Sequence, residues 1–145
     1  MAEESASQRR YVVDTNVLAY YALDTAPFSE QLSVFFLEPV ELIVPDFWYP
    51  EFLNVVWQAV RLRVVALDHG MELLEEAEGL LTGSVPVYSL WREALAVSEE
   101  YNCSTYDTLF VVLAERECCN LLTYDLRLLS TFPEIAKRPD QVLSS

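Results

Sequence analysis

Strand and helix signals alternate along this chain, and that alternation restricts its fold more than any other feature. Tyr11-Val12-Val13 is aromatic and β-branched and stops at Asp14, which is a strand signature. Residues 16–23 and 29–37 read as helices, the second with Leu32, Phe35 and Phe36 on one face. Residues 41–44 form a second strand, closed by Pro45. The helix pattern is strongest over residues 46–63, where Trp48, Phe52, Val55, Val56 and Ala59 fall on one stripe. Asp46 is the expected cap, and Pro50 is tolerated in the first turn. A glutamate-rich amphipathic helix over 68–81 stops near Gly83, and Val85-Pro86-Val87 reads as a short edge strand. Ser89 is the expected cap of a helix reaching Tyr101. Residues 105–117 form another helix with Tyr106, Leu109, Phe110 and Leu113 inward, 120–124 a strand, and 126–130 a last turn of helix.

The order β-α-α-β-α-α-β-α-α-β-α requires right-handed crossovers. It predicts an α/β fold, a small mostly parallel sheet sandwiched by helices in α/β/α layers. Only three glycines argue against a turn-rich β fold. The 145 residues are expected to form one domain, with 1–10 and 139–145 as flexible ends.

Four acids stand where such a sheet binds ligands, beyond the carboxyl ends of its strands. Asp14 and Asp125 end strands; Glu51 and Asp107 lie in first helical turns directed at the same rim. Like charges 4 Å apart repel by about 4 kcal/mol at an effective dielectric of about 20. A shared pocket would therefore take up protons or bind a cation. Oxygen ligands select Mg²⁺ or Mn²⁺. A single histidine and no CxxC spacing leave little for zinc. One or two such ions lower the pKa of a water and steady both oxygens of a phosphodiester under attack, so the expected chemistry is hydrolytic. Asn16, two residues after Asp14, is the expected supporting residue, with Thr15 and Thr123 flanking the acids. Blander roles stand beside these: Asp107 favouring its helix dipole with Ser104 or Thr105 as cap, Asp125 capping the next helix, and Glu51 an ordinary first-turn glutamate.

Other features carry less. His69 is expected at the surface, and Phe47-Trp48-Tyr49 in the core rather than as a base-stacking platform. Cys103, Cys118 and Cys119 read as buried free thiols. Glu72, Glu75, Glu76 and Glu78 form a solvated face with a minor role toward a basic partner. A net charge of −14 argues against non-specific binding of phosphate backbones. A nucleic acid would be held locally, by metal ions and a few of Arg61, Arg63, Arg92, Arg116, Arg127, Lys137 and Arg138. No apolar run approaches the ~20 residues of a membrane helix, and a cytoplasmic location is expected.

The four acid segments together resemble the PIN-domain family of metal-dependent ribonucleases. Val12-Val13-Asp14-Thr15-Asn16 looks like its opening motif, Pro50-Glu51-Phe52-Leu53-Asn54 its second, Ser104 to Arg116 around Asp107 its third, and Leu122-Thr123-Tyr124-Asp125 its fourth. The short chain is similar to VapC-like toxins of type II toxin–antitoxin pairs. The resemblance implies Mg²⁺ or Mn²⁺ held by Asp14, Glu51, Asp107 and Asp125, with Asn16 in support, and cleavage of RNA. It also implies a homodimer and a cognate antitoxin that blocks the site. Tyr124 departs from the small residue usual before the last acid and is expected to narrow the pocket. Two other classes stay open: a non-catalytic PIN-like protein-interaction module, and an aspartate-nucleophile phosphatase. The latter needs a second Asp where this chain has Asn16.

Overall fold

Five parallel strands form the centre of the molecule, in the order β3-β2-β1-β4-β5. The computed structural model describes residues 9–143. The strands are β1 (Arg9–Val13), β2 (Val40–Pro45), β3 (Gly83–Val85), β4 (Asn120–Leu122) and β5 (Ala136–Lys137). The helices are α1 (Thr15–Ala22), α2 (Phe28–Phe35), α3 (Trp48–Arg61), α4 (Leu67–Gly79), α5 (Trp91–Tyr101), α6 (Thr105–Arg116), α7 (Leu126–Thr131) and α8 (Pro139–Leu143). The apolar strand β1 lies at the middle, with Val12 paired to Ile43 on one side and Leu121 on the other.

Alternation along β1 divides the core. Val12 and Ile43 face a cluster with Leu109, Phe110 and Leu113 of α6. Tyr11, Val13, Leu42 and Val44 face the opposite layer, with Leu18, Leu32, Phe35, Trp48 and Phe52. The expected α/β/α sandwich is therefore present. From β1 the chain builds outward through β2 and β3, then returns to the other side of β1 for β4 and β5. That reversal opens a crevice between the carboxyl ends of β1 and β4, where a doubly wound sheet accepts a ligand.

Several local expectations change. Asp46 does not cap α3: the chain already turns at Phe47, and Asp46 Oδ1 accepts from the Val87 amide at 3.1 Å. Ser89 is not a cap either, because its hydroxyl donates to Pro86 O within a 3₁₀ turn over Val87–Ser89. The third strand is Gly83–Val85 rather than 85–87, and Pro86 ends it. The fourth strand stops at Leu122. Tyr106 points outward, 62% exposed, and stacks on Phe47. Two stretches expected at the loose ends are structured: Arg9 and Arg10 open β1, and α8 is tied back by an Arg9 guanidinium bond to Val142 O at 2.8 Å. Residues 1–8, 144 and 145 lie outside the described residues. Cys103 is buried, but Cys118 is exposed and Cys119 half-buried; all three are free. His69 is at the surface, 3.4 Å from Glu72. Among the described residues no helix is long and apolar enough to cross a membrane.

Candidate active site

Asp14 is the residue that leaves the sheet. Its amide still donates to Leu122 O, at 2.9 Å, so it remains bound to β4 while its backbone turns into α1. Its carboxylate then receives the first helical amide: Thr15 N donates to Oδ1 at 2.7 Å. Thr123, one residue past β4, donates its hydroxyl to Oδ2 at 2.8 Å. Asn16 spans the two loops, with Oδ1 accepting from the Tyr124 amide at 3.3 Å and Nδ2 lying 3.4 Å from Thr123 Oγ1. Thr123 Oγ1 also accepts from Asp125 N at 2.9 Å. These bonds join the loops after β1 and β4 and leave Asp14 only 9% exposed.

The other acids arrive on helix starts. Glu51, in the first turn of α3, accepts from the Thr15 hydroxyl. Asp107 lies in the first turn of α6, whose cap is Ser104, accepting from Tyr106 N at 3.1 Å. Asp125 caps α7, with Oδ1 accepting from Arg127 N at 2.8 Å and Leu128 N at 3.2 Å. The capping role read for Asp125 thus coexists with a place at the rim. All four acids, with Thr15 and Asn16, line one open cleft of ≈ 530 Å³.

Residues 11–137 match the PIN domain as a family. The chain belongs to the PIN-domain family. It is 28% identical over 128 residues to Ribonuclease VapC3 of Pyrobaculum aerophilum, a match covering 87% of this chain and 97% of that protein. Its fold is similar to a chain of a toxin–antitoxin complex from Klebsiella pneumoniae, with a TM-score of 0.65 at 16% identity over 89% of this chain and 97% of that one. It is also similar to a chain of VapBC2 from Rickettsia felis bound to a DNA fragment from their promoter, with a TM-score of 0.62 at 14% identity over 89% and 98%.

The electrostatics of this PIN domain are those of crowded acids. Burial pushes Asp14 up to about 7, and the charges of Glu51 and Asp107 push the same way against the Thr123 and Thr15 hydrogen bonds. Glu51 is raised by burial and then by Asp107, and Asp107 by burial and then by Asp125. One cation opposes this. Arg127, held by a 2.7 Å bond to Asn102 O, lowers the Asp107 carboxyl. Arg127 had stood only as one of several cations in the sequence; the fold brings it beside the acid rim.

The donor set is entirely oxygen, which suits a hard divalent cation. Among the described residues, no three Asp, Glu, His or Cys side chains are already gathered into a group that could hold a metal ion. The four acids share a cleft rather than a preformed cage. Glu51 and Asp107 lie half-buried on first helical turns at its edge.

Two corrections concern individual residues. Tyr124 does not narrow the cleft. Its ring packs on Phe28 and Tyr20, its hydroxyl donates to Gln31, and burial pushes the phenol up. The sequence reading also missed Asn54, which lines the cleft with Tyr20, Thr25 and Val55. Asn54 stands three residues after Glu51, on the same helical face, and that spacing was the available signal.

Proposed function

We propose that this PIN domain is a metal-dependent endoribonuclease acting as the toxin of a type II toxin–antitoxin pair. The observation that carries the reading is the raised set of Asp14, Glu51 and Asp107, lining one cleft with Asp125. Buried acids forced together are unfavourable when ionised; a divalent cation relieves that repulsion and can then accept a phosphate oxygen of RNA. Bound there, Mg²⁺ or Mn²⁺ would supply Lewis-acid charge for attack by water on a phosphodiester.

The chain's own residues supply the positioning. Asp14 is held rigid by Thr15 N and Thr123, and with Asp107 would provide the principal ligands. Glu51 and Asp125 complete the site, and Asn16 keeps the two carrying loops in register. Arg127 is the cation best placed to meet a phosphate near Asp107. The relative named a ribonuclease and the neighbour that is a chain of a toxin–antitoxin complex support a toxin with a protein antitoxin, and its place of action in this proposal is the cytoplasm. Exposed Trp91, Leu95 and Tyr106 supply an apolar face for a homodimer.

A second reading, a non-catalytic PIN-like interaction module, is favoured by the net charge of −14, which opposes binding of a phosphate backbone. Calorimetry with Mn²⁺, paired with cleavage of a labelled RNA, separates the two. The nuclease binds Mn²⁺ in an Asp107-dependent way and loses cleavage in EDTA and as Asp14→Asn. Cleavage that survives both changes would end the proposal.

A further inference from the structure

The cleft that holds the four acids is longer than the acids need. Asp14 and Glu51 stand at the starts of α1 and α3, and the cleft continues along both helices away from that rim. Ala19, Tyr20 and Leu23 line it from α1 and its end, roughly 7–14 Å past Asp14 at about 1.5 Å per residue. Asn54 and Val55 line it from α3, one turn past Glu51, and Thr25 lines it from the loop after α1. None of these residues is charged. In a chain of net charge −14, this arm is the part of the cleft walled without a carboxylate.

Its chemistry suits a flat heteroaromatic ring. Ala19, Leu23 and Val55 are apolar walls. Tyr20 is an aromatic wall already fixed in place. Its ring stacks on Phe28 with centroids 4.6 Å apart and lies 5.6 Å from that of Tyr124, so binding orders no loose side chain there. The polar edge is uncommitted. The Asn54 side chain is exposed and, like the Thr25 and Tyr20 hydroxyls, makes no hydrogen bond among the described residues. Asn16, the amide at the acid end, is instead occupied in joining the two loops. A carboxamide offers a donor and an acceptor side by side, the fork that pairs with a base edge. A ribose has no flat apolar faces to set against Ala19, Leu23 and Val55, and an aliphatic group leaves the fork unused. An unstacked RNA base meets both requirements.

We propose that this arm is a nucleobase subsite. A base of single-stranded RNA, carried by a nucleotide next to the cleaved phosphate, sits between the α1 and α3 walls, and Asn54 reads its edge. The subsite takes its ligand from the ribonuclease reading, on which it rests, and gives that reading a place where sequence is read. Asn54 and Glu51 share one face of α3, so the helix that presents an acid to the phosphate also presents an amide to the base.

The test has two parts. In the first, the full chain with Mn²⁺ cleaves an RNA pool of randomised sequence, and the cut ends are sequenced. The wild type favours one base at one position beside the cut by about tenfold. Asn54→Leu levels that preference, and Asn54→Asp, which only accepts, moves it toward a base edge that donates. A helix merely loosened by these changes would slow cleavage of all sequences alike. Asn54 is exposed, and thermal melting checks that each variant folds. A wild type with no preference beside the cut, or a preference unchanged in Asn54→Leu, overturns the proposal. The second part needs neither metal nor cleavage. Adenosine, guanosine, cytidine and uridine are each titrated, in EDTA, into isotope-labelled full chain and followed by NMR. At least one shifts the Asn54 side-chain amide and the backbone amides of Ala19 and Leu23, and the backbone shifts are lost in Asn54→Leu. A wild type that cleaves nothing but binds a nucleoside in this way sinks the nuclease and leaves the subsite. Cleavage without base preference sinks the subsite and leaves the nuclease, and silence in both parts sinks both.

Discussion

Replacing Asp14 by Asn is expected to stabilise the metal-free protein at alkaline pH while abolishing cleavage. Asp14 ionises near 7 in the fold, against an ordinary 3.8. Between those values the folded chain keeps a proton that the unfolded chain has lost. Stability is therefore full below about pH 4 and falls as pH rises through 7. A carboxyl held that high costs on the order of 4 kcal/mol once ionised, at about 1.4 kcal/mol per pH unit. Asparagine cannot ionise and escapes that loss. It offers one acceptor where Asp14 offers two, to Thr15 N and Thr123 Oγ1, which costs about 1 kcal/mol. Asp14→Asn should therefore be about 1 kcal/mol less stable than wild type below pH 4, close to parity at pH 5, where ionisation has already cost wild type roughly 1.5 kcal/mol, and roughly 3 kcal/mol more stable at pH 8.5. Urea unfolding followed by circular dichroism in EDTA, at several pH values, reads the difference directly. Acids that do not couple to Asp14 are common to both chains and cancel, while the coupling to Glu51 and Asp107 is part of the Asp14 shift itself. A wild-type-to-variant gap that does not change between pH 5 and 8.5 would refute the reasoning.

Further outcomes follow from the same site. Mn²⁺ should raise the melting temperature more at pH 7.5 than at pH 5.5, since protons compete for the raised acids; a hundredfold excess over Kd corresponds to about 2.7 kcal/mol. Thr123→Val removes the hydroxyl that serves both Asp14 and the Asp125 amide; it should cost roughly 1–3 kcal/mol in chemical denaturation and lower cleavage. Arg127→Ala should move the Asp107 carboxyl further up, visible as a carboxyl carbon titration by NMR, and should weaken RNA binding. Tyr124→Phe loses the Gln31 bond, outside the cleft; unfolding should show a loss of about 1 kcal/mol, with cleavage unchanged.

Residue order alone determined the layers and the acid positions. Val12-Val13-Asp14 could only be a buried strand ended by a charge, and the α3 stripe of Trp48, Phe52, Val56 and Ala59 is buried as its spacing requires. Such signals survive in sequence because burial periodicity is local. The caps at Asp46 and Ser89 misled for the complementary reason: their side chains bond groups that only the folded chain brings near, Val87 N for one and the 3₁₀ turn at Pro86 for the other. Tyr124 was read against its neighbour Asp125, yet the loop past β4 turns its ring onto Phe28 and Tyr20 and its hydroxyl to Gln31. The selection of Arg127 beside Asp107 and of Asn54 in the cleft belongs to tertiary structure. Each depends on how helices far apart in the chain pack on one sheet, and that geometry is set by distances a linear order does not contain.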